Sequence, residues 1–261
     1  LNHPVKVAEI VCAKVGLMAD SVAAVFLHEA SRVNRDLIQQ MNVKFPGDII
    51  KVAEALNRIS EIKPKDTNLE AERYRRLIAS YSTDPRVFLI KLADRLEVMR
   101  NLYTLPTPSI ARKNAETLLL YIPLAHQTGV YSIKSEMEDL WLKYAAPEKY
   151  REITNKLKVT EAERERLLKE FVNPLKDRLT KEGIEYTLKA RTKSAYSIWC
   201  KMQKQGIPFD KVYDVFAIRF IVKADLDKEK DICWNVYSLV TEEYEPDISR
   251  LRDWITVPKP N

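Results

Sequence analysis

At Gly183 the spacing of apolar residues changes, and that change commits the chain to two kinds of structure in succession. Before it, apolar residues recur at three- and four-residue steps, as in "PGDIIKVAEALNRI" and "DPRVFLIKLADRLEVMRNL". That is the pattern of helices burying one face. After it come the alternating "IEYTLKA" and the apolar run "KVYDVFAIRFIVK", which read as strands, and "LRDWITV", which reads as a third. Helical patterns ("SAYSIWCKMQKQG", "DKEKDICWNVYSLVTEEY") lie between them. Glycine is scarce, 5 in 261 against a usual share of roughly 7%, and this favours long helices over a glycine-punctuated β fold. The expected fold class is α+β: an all-helical bundle, then a small mixed or antiparallel sheet with helices on one face.

Local signals set the expected boundaries. Pro4 suits a first helical turn and Gly16 a stop, while Asp20 or Ser21 should cap "DSVAAVFLHEASRV". "NLEAERYRRLIASYS" reads as a further helix, and the segment opening at Asp84–Pro85 as the central one, since it is apolar over most of its face. "SIARKNAETLLLYIPLAHQTG" and "YSIKSEMEDLWLKYA" complete a helical domain over 1–146. Residues 147–183 are charge-rich at helical spacing and read as one or two exposed linking helices; 184–261 form the α+β domain.

Hydrophobic residues make up 46% and charged residues 31%, which excludes a disordered chain. The net charge of +6 is clustered and suggests a polyanionic ligand. Cys12, Cys200 and Cys233 are too far apart for a C-x-x-C motif, so neither a disulfide framework nor a zinc knuckle is expected and a reducing, cytoplasmic setting is. The longest apolar run, "TLLLYIPLA", is about half of what a membrane span needs. The chain opens inside a helical pattern without a methionine and stops straight after a strand-like run, so it reads as a fragment.

Two groups of residues carry possible chemistry. His3, His28, Glu29 and Asp94 lie on three predicted helices, and imidazole with carboxylate is a ligand set for a hydrolytic Mn, Fe or Zn ion. Simple packing of the histidines is the alternative. The second group lies in "LKARTKSAYSIWCKMQKQGIPFDKVYDVFAIRF". Lys193, Ser197 and Lys201 follow a four-residue step on a helix beginning near Ser194, with Arg191 just before it. Such a stripe beside a helix N-terminus suits phosphate oxygens. Asp214 opens the next strand and could hold Mg²⁺ against those phosphates. Arg219, five residues on, is expected on the opposite strand face from Asp214. A merely solubilising basic helix is the alternative. A nucleic-acid surface is disfavoured, because no exposed aromatics interleave the basic stripe.

Longer motifs carry a resemblance. "HPVKVA", "LHEA", "VFLIKLADRLEVMRNL" and "AETLLLYIPLAHQTGVYSIKSEMEDL" resemble the HD-type phosphohydrolase half of the RelA/SpoT-type alarmone synthetase/hydrolase family. "ARTKSAYSIWCKM", "FDKVYDVFAIRFIV" and "RLRDWITVPKPN" resemble its nucleotidyltransferase-like synthetase half. The resemblance implies that His3, His28, Glu29 and Asp94 fall on the Mn²⁺ ligand positions. It also implies that Arg191, Lys193, Ser197 and Lys201 handle ATP phosphates, and that Asp214 binds Mg²⁺. Arg250, Arg252, Lys259 and Asn261 would line the nucleotide site.

The departures from the family pattern matter. Glu29 stands where the family has Asp, Arg32 and Val33 where it has the acidic pair that activates water, and Glu97 and Val98 where it has His-Asn. The first half is therefore expected to lack useful hydrolase activity, with Mn²⁺ binding doubtful. In the second half Ala190, Thr192 and Ser194 replace the Gly, Pro and His of the motif, none of them charge carriers. Arg250-Leu251-Arg252-Asp253 follows the R-x-K-D type found in bifunctional members, at odds with the eroded ligand set. His126, also at a family position, is expected to be a helix–helix contact. The implied reaction, in the parent protein, is pyrophosphoryl transfer from ATP to the 3′-OH of GTP or GDP in the stringent response, the fragment itself being expected inactive or weak; Mn-dependent hydrolysis of ppGpp is the alternative. Family members contact the ribosome and tRNA through C-terminal domains with no counterpart here; neither membrane nor direct DNA binding is expected.

Overall fold

The computed structural model describes residues 2–34, 36–61, 84–159 and 161–258. The expected helix over "NLEAERYRRLIASYS" and the residues Lys259 and Asn261 lie outside them. Two compact units are present, Leu1–Arg151 and Glu152–Asn261.

The first unit is helical. Helix α1 (Asn2–Ile10) runs into a wide π turn (Val11–Val15) that stops at Gly16, whose φ of 78° needs a residue without Cβ. Helices α2 (Ala19–Val33), α3 (Leu37–Met41) and α4 (Gly47–Glu61) follow. The expected cap of α2 is not made. Its N-cap is Met18, with no side-chain bond, because the helix begins at Ala19, ahead of both expected caps, and Ser21 is drawn into the core.

Helix α5 (Pro85–Arg100) is central, as its sequence predicts. Asp84 caps it by accepting the Arg86 N–H at 2.9 Å, and Pro85 starts it. It buries Val87, Ile90, Leu92, Ala93, Leu96 and Met99 and packs against α1 and against α8 (Tyr131–Ala145). Such a helix also buries Lys91, Arg95 and Glu97, each of which must find a partner. Arg95 finds Glu116 at 2.8 Å and the ring of Tyr121 at 4.1 Å. Helix α6 (Thr107–Glu116) passes through a second π turn (Thr117–Tyr121) into α7 (Ile122–Gln127), where Pro123 supplies no N–H to the helix ladder. His126 meets Tyr131 edge to face, a contact between α7 and α8.

Helix α9 (Pro147–Val159) contains the boundary between the units. Helix α10 (Glu161–Lys181) carries the charge-rich sequence, yet it is not simply a solvated link: Val172, Leu175 and Leu179 are buried. Leu175 and Leu179 pack with Val236 and Leu239 of α12 (Glu229–Glu243). Strands β1 (Tyr186–Thr192) and β2 (Phe216–Val222) pair antiparallel, from Tyr186 opposite Val222 to Thr192 opposite Phe216. Tyr186, Phe220 and Val222 turn toward the α10–α12 core. Helix α11 (Ala195–Gln205) connects the strands and ends at Gly206 with φ 63°.

The sheet among the described residues is therefore antiparallel, one of the two expected forms, but has two strands, without the third expected over "LRDWITV". There Asp253 accepts the N–H groups of Ile255 and Thr256 at 3.0 and 2.8 Å and bends the chain into turns. A short acid bonding to its own backbone competes with the strand ladder, and here it wins.

Candidate functional site

Each unit holds one candidate site. In the first, α1, α2 and α5 bring His3, His28, Glu29 and Asp94 together, as their sequence positions suggest. His3, Glu29 and Asp94 each offer a donor atom within 4.8 Å of the others. Among the described residues they form the one such group of His, Cys, Asp and Glu side chains. His3 Nε2 lies 2.9 Å from Asp94 Oδ1, and His28 Nε2 lies 3.9 Å from Glu29 Oε1.

The other ring nitrogens are already engaged. His3 Nδ1 bonds Glu97, and His28 Nδ1 bonds Asn57 Oδ1 of α4 at 2.5 Å. Asn57 is fixed in turn by donating to Ser31 Oγ at 2.8 Å. Sequence reasoning missed Asn57 and the role of Glu97, since each sits tens of residues from its histidine and no spacing rule links them.

Cations pair with both acids. Lys91 Nζ is 3.1 Å from Asp94 Oδ2, and Arg32 Nη1 is 3.1 Å from Glu29 Oε1. The Arg32 side chain is mostly exposed and reaches back one turn to Glu29. The hydrogen bond to Asp94 outweighs burial and raises His3 to about 9. Burial, with the charge of Lys91, lowers His28. Burial would raise Asp94, but Lys91 and His3 overcome it and hold the carboxyl well below its usual range. The donors suit a divalent Mn-, Fe- or Zn-type ion: burial disfavours the protonated form of His28, whose Nε2 faces Glu29, and two acids supply charge.

In the second unit the cationic side chains surround a cavity of about 330 Å³ lined by Arg191, Lys193, Asp214, Ala217, Ile218 and Arg219. Lys193 is not on the helix stripe. Ser194 is the N-cap of α11, so Lys193 precedes the helix, and its N–H bonds Val215 O at 2.8 Å. Ser194 Oγ accepts the Ser197 N–H at 3.2 Å, and the two hydroxyls lie 2.9 Å apart. Lys201 reaches from the helix to Tyr213 O at 2.9 Å and to Asp214 Oδ2 at 3.2 Å. Burial and the neighbouring charge of Lys201 lower the Lys193 pKa.

Asp214 does not open the strand. It sits in the turn before β2 with φ 62°, the left-handed region that Asp tolerates better than most residues. Counting strand parity from it therefore fails, and Arg219, expected on the opposite face, lines the same cavity. In the strand register Lys189 stands directly opposite Arg219, and Arg191 opposite Ala217. Directly opposed residues share a sheet face, so Lys189, Arg191 and Arg219 occupy the face away from the core. Arg250 stacks on the Tyr213 ring at 3.9 Å and pairs with Asp247 at 3.2 Å. Arg252 is exposed and donates to Leu251 O at 2.9 Å. Nothing in the sequence pattern pointed to Tyr213 as the platform beside Asp214.

The fold and the two sites define a two-part chain, an HD-type helical bundle followed by an α+β unit with a cationic cavity. Comparison with known proteins agrees: residues 1–131 match the HD domain family, and residues 190–261 match the family described as a region found in RelA / SpoT proteins. The chain belongs to the RelA/SpoT family.

It is 34% identical over 260 residues to a guanosine-3′,5′-bis(diphosphate) 3′-pyrophosphohydrolase of Aquifex aeolicus, covering 99% of this chain and 36% of that protein. It is 32% identical over 262 residues to the bifunctional (p)ppGpp synthase/hydrolase SpoT of Escherichia coli K12, covering 100% of this chain and 36% of that one. A GTP pyrophosphokinase of Myxococcus xanthus is 30% identical over 265 residues, covering 100% of this chain and 34% of its own length. The chain thus spans about a third of the length of these relatives. Among the described residues no helix is long and apolar enough to cross a membrane.

Proposed function

We propose that the second unit serves an ATP:GTP/GDP 3′-pyrophosphotransferase, with ATP and a guanine nucleotide as substrates. The observation that carries this reading is the cavity in which Arg191, Lys193 and Arg219 face a single carboxylate, Asp214, itself tied to Lys201. In the reaction the ribose 3′-oxygen forms a bond to the β-phosphorus of ATP. The bond from that phosphorus to the α,β-bridging oxygen breaks, and AMP leaves while the 3′-hydroxyl proton passes to a base. Phosphoryl transfer of this kind depends on positioning and charge neutralisation. Arg191 and Arg219 offer planar forks for phosphate oxygens, and Lys193 and Lys201 offer point charges. Lys193 is pre-set by its backbone bond to Val215, and Lys201 by its bond to Tyr213 O. Asp214 would hold Mg²⁺, which when bound would supply positive charge against that of the phosphates. Arg250 and Arg252 are assigned to the same nucleotide by resemblance.

AMP and guanosine 3′-pyrophosphate formation from labelled ATP tests the proposal. Arg191→Ala and Lys193→Ala should each lower the yield at least tenfold. Product formation that survives both changes would end it.

A second reading, a metal-dependent 3′-pyrophosphohydrolase in the first unit, is favoured by the convergence of His3, Glu29 and Asp94. Against it, Arg32 and Val33 supply no carboxylate to activate water, and Arg32 pairs with Glu29. Incubation with guanosine tetraphosphate and Mn²⁺ should release no pyrophosphate; release that His28→Ala abolishes would establish this reading instead.

A further inference from the structure

The histidines of the first unit share an arrangement that packing alone does not require. Each has Nδ1 against a buried or half-buried side-chain oxygen from a different stretch of chain, and each turns Nε2 toward a carboxylate. An imidazole can give a lone pair from Nε2 only if Nδ1 carries the proton, and an acceptor at Nδ1 selects that tautomer and fixes the ring. Asn57 does this for His28.

For His3 the acceptor is Glu97, which follows Asp94 by three residues on α5 and so lies on the same helix face. Asp94 also accepts from Nε2, so a bound ion would displace that proton while Nδ1–H stays donated to Glu97. Glu97 is 8% exposed, and its two oxygens have separate partners. Asn101 Nδ2 donates to Oε1 at 2.8 Å, and Oε2 is left for His3. Asn101 also donates to Glu97 O at 3.2 Å, so the anchor is fastened to the end of the same helix.

We propose that Glu97, held by Asn101, is a positioning residue that presents His3 Nε2 as a ligand, so that His3, His28, Glu29 and Asp94 bind a divalent cation such as Mn²⁺. This holds whether or not the bundle hydrolyses anything. Glu97 touches no donor position; it acts through His3. The residue that departs from the family pattern at this point is thus a device that keeps the ligand set ordered. Lys91 and Arg32 take part of the carboxylate charge and limit how tightly the ion is held.

The test is Mn²⁺ binding by the chelator-stripped protein, read as loss of free-ion paramagnetic resonance signal, with the number of coordinated nitrogens counted from their hyperfine couplings. Wild type should bind one ion with two histidine nitrogens. Glu97→Met should weaken binding by about 10- to 100-fold, the usual effect of removing an outer partner, and reduce the count to one nitrogen. Glu97→Gln retains an acceptor and should recover both nitrogens and most of the affinity. Asn101→Leu, remote from the ion, should fall between wild type and Glu97→Met, and it carries the test with Glu97→Gln if Glu97→Met does not fold. Two nitrogens at wild-type affinity in Glu97→Met overturn the proposal. So does a wild-type protein that binds no Mn²⁺, because the cluster is then an ion-paired knot only.

Discussion

Replacing Asp214 by Asn separates the two things its carboxylate does near phosphates. The backbone there has φ 62°, which Asn also tolerates, so the turn should survive where Ala would be strained. The lost pair with Lys201 is well exposed, Asp214 being 67% accessible, and costs less than about 1 kcal/mol. Without magnesium the carboxylate simply repels the triphosphate. At about 6 Å the repulsion per phosphate charge is roughly 0.7 kcal/mol in bulk water and about 2.8 kcal/mol at an effective dielectric of 20. An open, exposed cavity lies toward the lower figure, so about 1 kcal/mol is a fair value, or about fivefold in affinity.

Asp214→Asn should therefore bind ATP about fivefold more tightly than wild type in EDTA and more weakly than wild type in excess Mg²⁺. Calorimetric titration in both buffers at one ionic strength reads this directly. The reasoning rests on the order of the two proteins reversing between buffers. If the substitution shifts both affinities in the same direction, Asp214 holds no metal and the proposed division of labour in the cavity is wrong.

Leu92 is fully buried on α5, and Leu92→Ala should cost about 2–5 kcal/mol in urea unfolding of the first unit. Burial would raise the Glu136 carboxyl, but Arg100 and Lys14 outweigh it and lower its pKa. Its stabilisation is thus present above the unfolded carboxyl value of about 4.3 and is lost as pH falls through the lower folded value; Glu136→Gln should flatten the stability profile in that acid window. Arg219→Thr removes a like-charge opposition with Lys189, so it should raise the unfolding free energy of the ligand-free protein by a few tenths of a kcal/mol while weakening ATP binding. A variant that loses both stability and binding would show that Arg219 is structural.

What the sequence made legible was local. The Asp-Pro start of α5, the stop at Gly16 and the change of period at Gly183 all act within a turn or two of chain, and all appear where expected. The convergence of His3, Glu29 and Asp94 and the gathering of Arg191 and Lys193 near Asp214 were also legible, because residue type alone singles these side chains out. The misses have tertiary or competing causes. Asp253 prefers its own backbone to a strand partner. The left-handed turn at Asp214 breaks the two-residue count on which Arg219 was placed. The charged helix α10 hides an apolar face against α12, which composition averaged over the segment cannot reveal. Asn57 and Glu97 orient histidines 29 and 94 residues away, a relation that exists only after folding.

The like-charge pair also favours the proposed ligand site over a merely soluble basic surface. A surface selected for solubility would mix signs, since directly opposed cations on paired strands cost roughly 0.2–1 kcal/mol. Here Lys189 faces Arg219 in the register, Arg191 lies two residues along the same face, and burial together with the charge of Lys201 lowers the Lys193 pKa. Asp214, the acid lining the cavity, is paired with Lys201. The arrangement leaves positive charge uncompensated where it is least favourable for the free protein, and an anion in the cavity would relieve it. The first unit shows the reverse: carboxylates and imidazole nitrogen gather in one place, and Lys91 and Arg32 are each fastened to an acid. One chain thus concentrates excess positive charge at one site and carboxylate donors at the other, as a phosphate-rich ligand and a divalent ion would respectively require.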